Sequence, residues 1–177
     1  MEIDTIYNCD CLEGMKEIAT GSVDAIICDL PYEVLHKDNP HAQWDRIIPF
    51  EPMWEQYERV IKDNGAILLF CQGMFTAKLM MSNEKLWRYN LVWDKCRVTG
   101  FLNANRAPLK KSENILVFYQ KPPVYNPQFT YGEPYRKTHA RSGSSPNYGK
   151  FERVGTESSD GRRYPSNVLF VPTVSHT

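Results

Sequence analysis

The stretch Val23-Asp24-Ala25-Ile26-Ile27-Cys28-Asp29-Leu30-Pro31-Tyr32 decides the fold. Val23–Cys28 is a compact apolar run, as expected of a strand covered on both faces. It stops at Asp29-Leu30-Pro31-Tyr32, because Pro31 cannot continue a central strand. Open α/β sheets bind their ligands beyond the carboxyl ends of strands. A carboxylate, a stiff turn and an aromatic ring at such a place can bind a nucleobase. The exocyclic amine of adenine or cytosine is a poor nucleophile, because its lone pair is delocalised into the ring. Two acceptors aimed at its N–H bonds draw the nitrogen toward tetrahedral geometry. Asp29 and the Leu30 carbonyl are the candidates. Pro31 fixes the backbone dihedral that aims the carbonyl. Tyr32 is placed to stack on a base taken out of the duplex. Four residues alone also fit an ordinary strand-to-loop turn.

Upstream, residues 3–7 read as a short strand. Leu12, Met15 and Ile18 recur at a spacing of three, predicting a helix that Gly21-Ser22 breaks. Downstream, Trp54, Tyr57, Val60 and Ile61 predict a helix over about 51–62, stopped by Asn64-Gly65. Ala66–Phe70 reads as a buried strand, 73–81 as a second amphipathic helix, and Asn90–Trp93 and Asn114–Tyr119 as two more strands. This alternation predicts right-handed crossovers and a parallel sheet flanked by helices, an α/β fold. Val168–Val171 reads as a last strand. Residues 121–165 differ in texture: six prolines, five glycines and five tyrosines, with scattered basic residues and little periodicity. The expected division is therefore 1–120, 121–165 and 166–177.

The 177 residues suffice for one domain, and their net charge of zero hides a split. Residues 1–94 hold 8 Lys/Arg and 16 Asp/Glu, a balance of −8; residues 95–165 hold 13 and 5, a balance of +8. A basic half points to a polyanionic partner. In 121–165 the candidate phosphate contacts are Arg136, Lys137, Arg141, Lys150 and Arg153, interleaved with Tyr125, Tyr131, Tyr135 and Tyr148. The alternative is a basic, low-complexity loop that reads no sequence. No apolar run approaches the ~20 residues of a membrane span. The N-terminus lacks a basic-then-apolar leader, and the five cysteines are an odd number. Together these predict a cytoplasmic protein with reduced thiols. Cys9-x-Cys11 with His36 and His41 matches no standard zinc spacing, so no metal is expected. Cys28 reads as a small buried hydrophobe.

Asp29-Leu30-Pro31-Tyr32 resembles the Asp/Asn/Ser-Pro-Pro-aromatic signature of the DNA amino-methyltransferases, with Leu in the second place. That place supplies a backbone carbonyl, so Leu is chemically tolerable. Asn8-Cys9-Asp10-Cys11-Leu12-Glu13-Gly14-Met15 resembles the preceding segment of the family's circularly permuted branch. Trp44-Asp45, Ile48-Pro49-Phe50 and Trp54 resemble the following helix of phage-type members. Trp93-Asp94-Lys95, Thr99-Gly100-Phe101-Leu102-Asn103 and Ser112–Phe118 resemble the later strands and their loop.

The resemblance implies a Rossmann-like sheet and site-specific methyl transfer from S-adenosylmethionine to adenine N6 in double-stranded DNA, or to cytosine N4. It makes Asp10 a candidate contact to the cofactor. It also implies a shortfall. The branch's aromatic-x-Gly-x-Gly cofactor loop has no counterpart here, so the fold is expected to be incomplete at its C-terminal side. A second copy or a separate C-terminal half would then complete it. A catalytically silent DNA-binding remnant is the other reading of the same residues.

Overall fold

The computed structural model describes residues 2–35, 40–136, 143–147, 149–151, 157–172 and 174. The chain forms two units, Met1–Val124 with Asn167–Thr177, and Tyr125–Ser166. Among the described residues no helix is long and apolar enough to cross a membrane.

The first unit is built on a five-stranded sheet. In chain order its first four strands are β1 (Val23–Asp29), β2 (Ile61–Cys71), β3 (Trp87–Thr99) and β4 (Lys110–Phe118). A closing strand, Val168–Phe170, completes it. The spatial order is β1, β2, β4, β3, closing strand. β1 and β2 are parallel, as are β3 and the closing strand, whereas β4 runs antiparallel to both its neighbours. The expected all-parallel sheet is thus a mixed one. β3 turns back into β4 through a hairpin, and a hairpin can only join antiparallel strands. β1, β2, β3 and the closing strand still share one direction.

Three helices precede the strands they feed: α1 (Cys11–Lys16), α2 (Phe50–Val60) and α3 (Gly73–Ser82). They cover one face of the sheet. Met53, Tyr57 and Leu79 meet Ile67, Leu69, Leu116 and Phe118 in a buried core, with Ile26 and Cys28 against it. α1 begins where the Asp10 carboxylate accepts from the Leu12 and Glu13 amides at 2.8 and 3.3 Å, a helix cap. It is shorter than the Leu12–Ile18 spacing predicts. Arg59 of α2 secures its end: the guanidinium donates to the Met15 carbonyl at 2.6 Å and to the Ile18 carbonyl, just beyond the helix, at 2.8 Å.

Three further expectations are corrected. Residues 3–7 form no strand: Ile3 and Ile6 stand 92% and 100% exposed with no ladder partner. Val23–Cys28 is not covered on both faces. β1 is an edge strand, the helices lie on its other side, and Ile27 is 69% exposed. Gly65 is no helix terminator, since α2 ends at Val60 and Gly65 lies inside β2. A Cβ there would stand 2.9 Å from the Asp24 carbonyl oxygen and 2.7 Å from Ile61 Cγ1. Glycine therefore lets β2 approach β1 closely, beside the register shift between Val23 and Ala25.

The second unit carries short antiparallel pairs: Thr130–Tyr131 with Arg162–Arg163, Tyr135–Arg136 with Glu157–Ser158, and Gly143–Ser145 with Gly149–Phe151. Its rings and cations replace an aliphatic core. The Arg163 guanidinium lies 4.2 Å from the Tyr135 ring centre, and that of Arg162 lies 5.0 Å from that of Phe129.

Candidate active site

β1 delivers Asp29 to the carboxyl end of the sheet, and the chain leaves at once through Leu30, Pro31 and Tyr32. Leu30 is buried in the core at 4% exposure, which anchors the backbone carrying the candidate carbonyl. Tyr32 packs its ring against Phe75 of α3, with centroids 5.2 Å apart, and Phe75 in turn meets Phe50 of α2 at 6.0 Å. The Tyr32 hydroxyl donates a short hydrogen bond to Asp29 Oδ1. Burial and the adjacent Asp29 carboxylate push the Tyr32 phenol far up, so it stays a neutral donor. The structure thus brings the carboxylate and the ring into direct contact. The hydroxyl occupies Oδ1 of Asp29.

One residue of this site escapes the motif. Asp45, 7% exposed, accepts from the backbone amides of Glu33, Val34 and Leu35 at 2.9, 2.8 and 2.7 Å. Its carboxylate holds the segment that follows Tyr32. Burial would raise its carboxyl pKa, but the Leu35, Glu33, Val34 and Tyr32 amides outweigh that and hold it below the usual carboxylate range. The sign is the depressed-acid one. The group stabilises the fold fully above its unfolded pKa, roughly 4, and that contribution is lost as pH falls toward the folded value. Asp45→Asn is therefore expected to flatten the acid limb of the stability curve below about pH 4. Urea titrations at a series of pH values check this, and an unchanged acid limb would contradict it.

The other singled-out residues are placed as follows. Asp10 is exposed and its carboxylate is spent on capping α1. The Cys28 thiol is pushed up by burial, although the Tyr57 hydroxyl tempers the rise, which suits an inert packed thiol. Among the described residues no cluster of His, Cys, Asp and Glu is arranged to hold a metal ion. In the second unit Arg136 pairs with Glu157 at 3.7 Å, and Lys150 is exposed. Lys137, Arg141, Arg153 and Tyr148 lie outside the described residues. An open cleft of about 1370 Å³ lies at the opposite end of the sheet, lined by Trp54, Glu58, Lys62, Leu86 and Arg88. None of Asp29–Tyr32 lines it.

Residues 23–172 match the family model described as N6/N4 DNA methylase. The chain belongs to the N6/N4 DNA methylase family. The methylase match takes in β1, Asp29–Tyr32 and all later strands. The type II methyltransferase M.HinfI of Haemophilus influenzae is 26% identical over 149 residues, which is 67% of this chain and 42% of that protein. Two solved structures share the fold. The PvuII cytosine-N4-specific DNA methyltransferase superimposes with a TM-score of 0.56 at 10% identity, over 97% of this chain and 58% of its own. The M1.HpyAVI–SAM complex does so at 0.50 and 21%, over 73% and 58%. This chain therefore spans about two fifths to three fifths of the length of the methylases it matches. The sheet and its helices are the Rossmann-like fold of S-adenosylmethionine-dependent methyltransferases.

A backbone that closely approaches a ligand needs glycine. Gly73, the glycine that follows β2 at the Asp29 end, adopts φ +57° with open space around a built Cβ.

Proposed function

We propose that this chain is the target-base half of a site-specific DNA adenine-N6 methyltransferase. The carrying observation is Asp29 at the end of β1, in contact with Tyr32 and next to the anchored Leu30. A target base leaves the duplex and stacks on the Tyr32 ring, which Phe75 supports from behind. Its amine displaces the Tyr32 hydroxyl and donates to Asp29 and to the Leu30 carbonyl. Held between two acceptors, the nitrogen lone pair points out of the ring plane. S-adenosylmethionine, when bound, supplies the electrophilic methyl carbon. Its S–CH3 bond would be exchanged for N–CH3, releasing S-adenosylhomocysteine; this chain's part would be to hold the amine between Asp29 and the Leu30 carbonyl and to pass its surplus proton to Asp29 or solvent. Polypeptide beyond these 177 residues, either a continuation or a second chain, would provide the cofactor contacts; Asp10 is this chain's own candidate for one. Arg136, Lys137, Arg141, Lys150 and Arg153 are the proposed phosphate contacts of the second unit.

The choice of adenine rests on the phage-type resemblance around Trp44-Asp45 and Trp54. Cytosine N4 is the competing target, since the same acceptors fit either amine and the PvuII neighbour is cytosine-N4-specific.

The test is transfer of a labelled methyl group from S-adenosylmethionine to unmethylated DNA, followed by digestion and separation of the methylated bases. The 177-residue chain is expected to bind duplex DNA without transferring label. Adding the uncovered part of a matched methylase such as M.HinfI, of which this chain covers 42%, is expected to yield N6-methyladenine. Label at cytosine N4 would overturn the choice of base. Transfer by the chain alone would overturn the division of the site, and a folded chain that ignores DNA would overturn the proposal entirely.

A further inference from the structure

The β3–β4 hairpin carries a charge pattern that the proposed base pocket does not use. Residues 95–111 hold five cations, Lys95, Arg97, Arg106, Lys110 and Lys111, and no Asp or Glu. Two of them brace the base of the hairpin. Lys95 pairs with Glu113 and lies over the Trp93 ring, and Lys111 pairs with Asp94 at 2.9 Å. Arg97, Arg106 and Lys110 are exposed and form no ion pair among the described residues.

The tip beyond them is apolar and ordered by its own backbone. Gly100 adopts φ +81°, which permits the tight turn, and Phe101–Asn103 form a single 3₁₀ turn. The Asn103, Ala104 and Arg106 amides donate to the Gly100, Phe101 and Asn103 carbonyls at 2.9, 3.1 and 2.8 Å. This turn holds Phe101 and Leu102 outward at 77% and 86% exposure. Two adjacent large apolar side chains on a braced tip, with cations behind them, suit a surface that is itself apolar within and anionic around. Stacked bases inside a phosphate backbone have that character.

The topology places this tip on the side of the chemistry. β3 runs in the direction of β1, so its carboxyl end lies at the Asp29 end of the sheet. Asp29, Phe70, Ile115 and Leu91 form one row across the ladder. Thr99 lies eight residues beyond Leu91, at most roughly 26 Å further along β3 at about 3.3 Å per residue. A two-stranded ribbon of this kind fits the ~12 Å major groove.

We propose that the β3–β4 hairpin is a second duplex-DNA contact, separate from residues 121–165. Arg97, Arg106 and Lys110 bind phosphates, and Phe101 with Leu102 wedges against a base step near the target and kinks the duplex. The inference rests on the DNA substrate proposed above.

The test uses the full chain and a 25-base-pair duplex of mixed sequence. Anisotropy over a salt series reads affinity, and energy transfer between end labels reads bending. The triple variant R97A/R106A/K110A is expected to make the slope of log affinity against log salt shallower by roughly 2.7, at about 0.9 per phosphate contact. The double variant F101A/L102A is expected to keep the salt slope, weaken binding about fivefold or more, and abolish the bend. An unchanged slope in the triple variant overturns the phosphate contacts. A bend that persists in the double variant overturns the wedge. All five positions are exposed, so circular dichroism should confirm an unaltered fold. If wild type binds and bends DNA but neither variant differs, only this inference fails. If wild type binds no DNA, the underlying proposal fails as well.

Discussion

Asp29→Ala is expected to lower methyl transfer by at least ~100-fold in the form of the protein that transfers label. Removing one preorganised group aimed at developing charge costs a factor of this size. Asp29 lies on an edge strand and touches Tyr32 but not the helix-covered core, so its loss leaves the fold and the basic surfaces in place. Duplex affinity is therefore expected to stay within about twofold, since phosphate contacts dominate binding. Asp29→Asn keeps one acceptor oxygen and should retain more activity than the alanine variant. Single-turnover methylation and salt-dependent anisotropy, run side by side, separate chemistry from binding. Equal losses in both would mean that Asp29 is structural.

Phe118→Ala is expected to be the most damaging single core change, at roughly 3–5 kcal/mol. The ring is fully buried, sits 4.8 Å from that of Trp54, and lies in the ladder between Ile67 and Trp87. It thus joins α2 to the strand that reverses the sheet. Domains of this kind are stable by only about 5–15 kcal/mol, so the variant should lose a large share of its stability. Phe101→Ala, at a 77% exposed tip, is the matched control and should change stability by less than about 0.5 kcal/mol. Urea titrations of the two variants decide it: similar midpoints would mean that the core is not organised around Phe118.

The parts of the fold that sequence reveals are the local ones. Val23–Cys28 is an apolar run with a proline after it, and both signals lie within ten residues. The buried face of α2 follows from the spacing of Trp54, Tyr57 and Val60. What escapes is set by partners far along the chain. Nothing in residues 110–118 announces that they run backwards between β2 and β3; that direction follows from the hairpin. Asn64-Gly65 looks like a helix end because its close approach to the Asp24 carbonyl is invisible in sequence. The candidate site was legible to the same extent. Asp29 and Tyr32 stand three residues apart in a motif, whereas Asp45 reaches back 10–12 residues to hold the following segment. Its signal, an aspartate after a tryptophan in a polar loop, fits too many roles to single out one.

The edge position of β1 also makes it a reporter. Its backbone pairs with β2 on one side only, so alternate amides in β1 have no ladder partner. Those amides should exchange their hydrogens with solvent rapidly, while the amides of Leu69 and Leu116, at the centre of the sheet, should exchange only on global unfolding. A strand added along that edge would slow every second β1 amide and leave the central ones unchanged. Exchange mass spectrometry could therefore detect a strand docking along this edge before any methyl group is transferred.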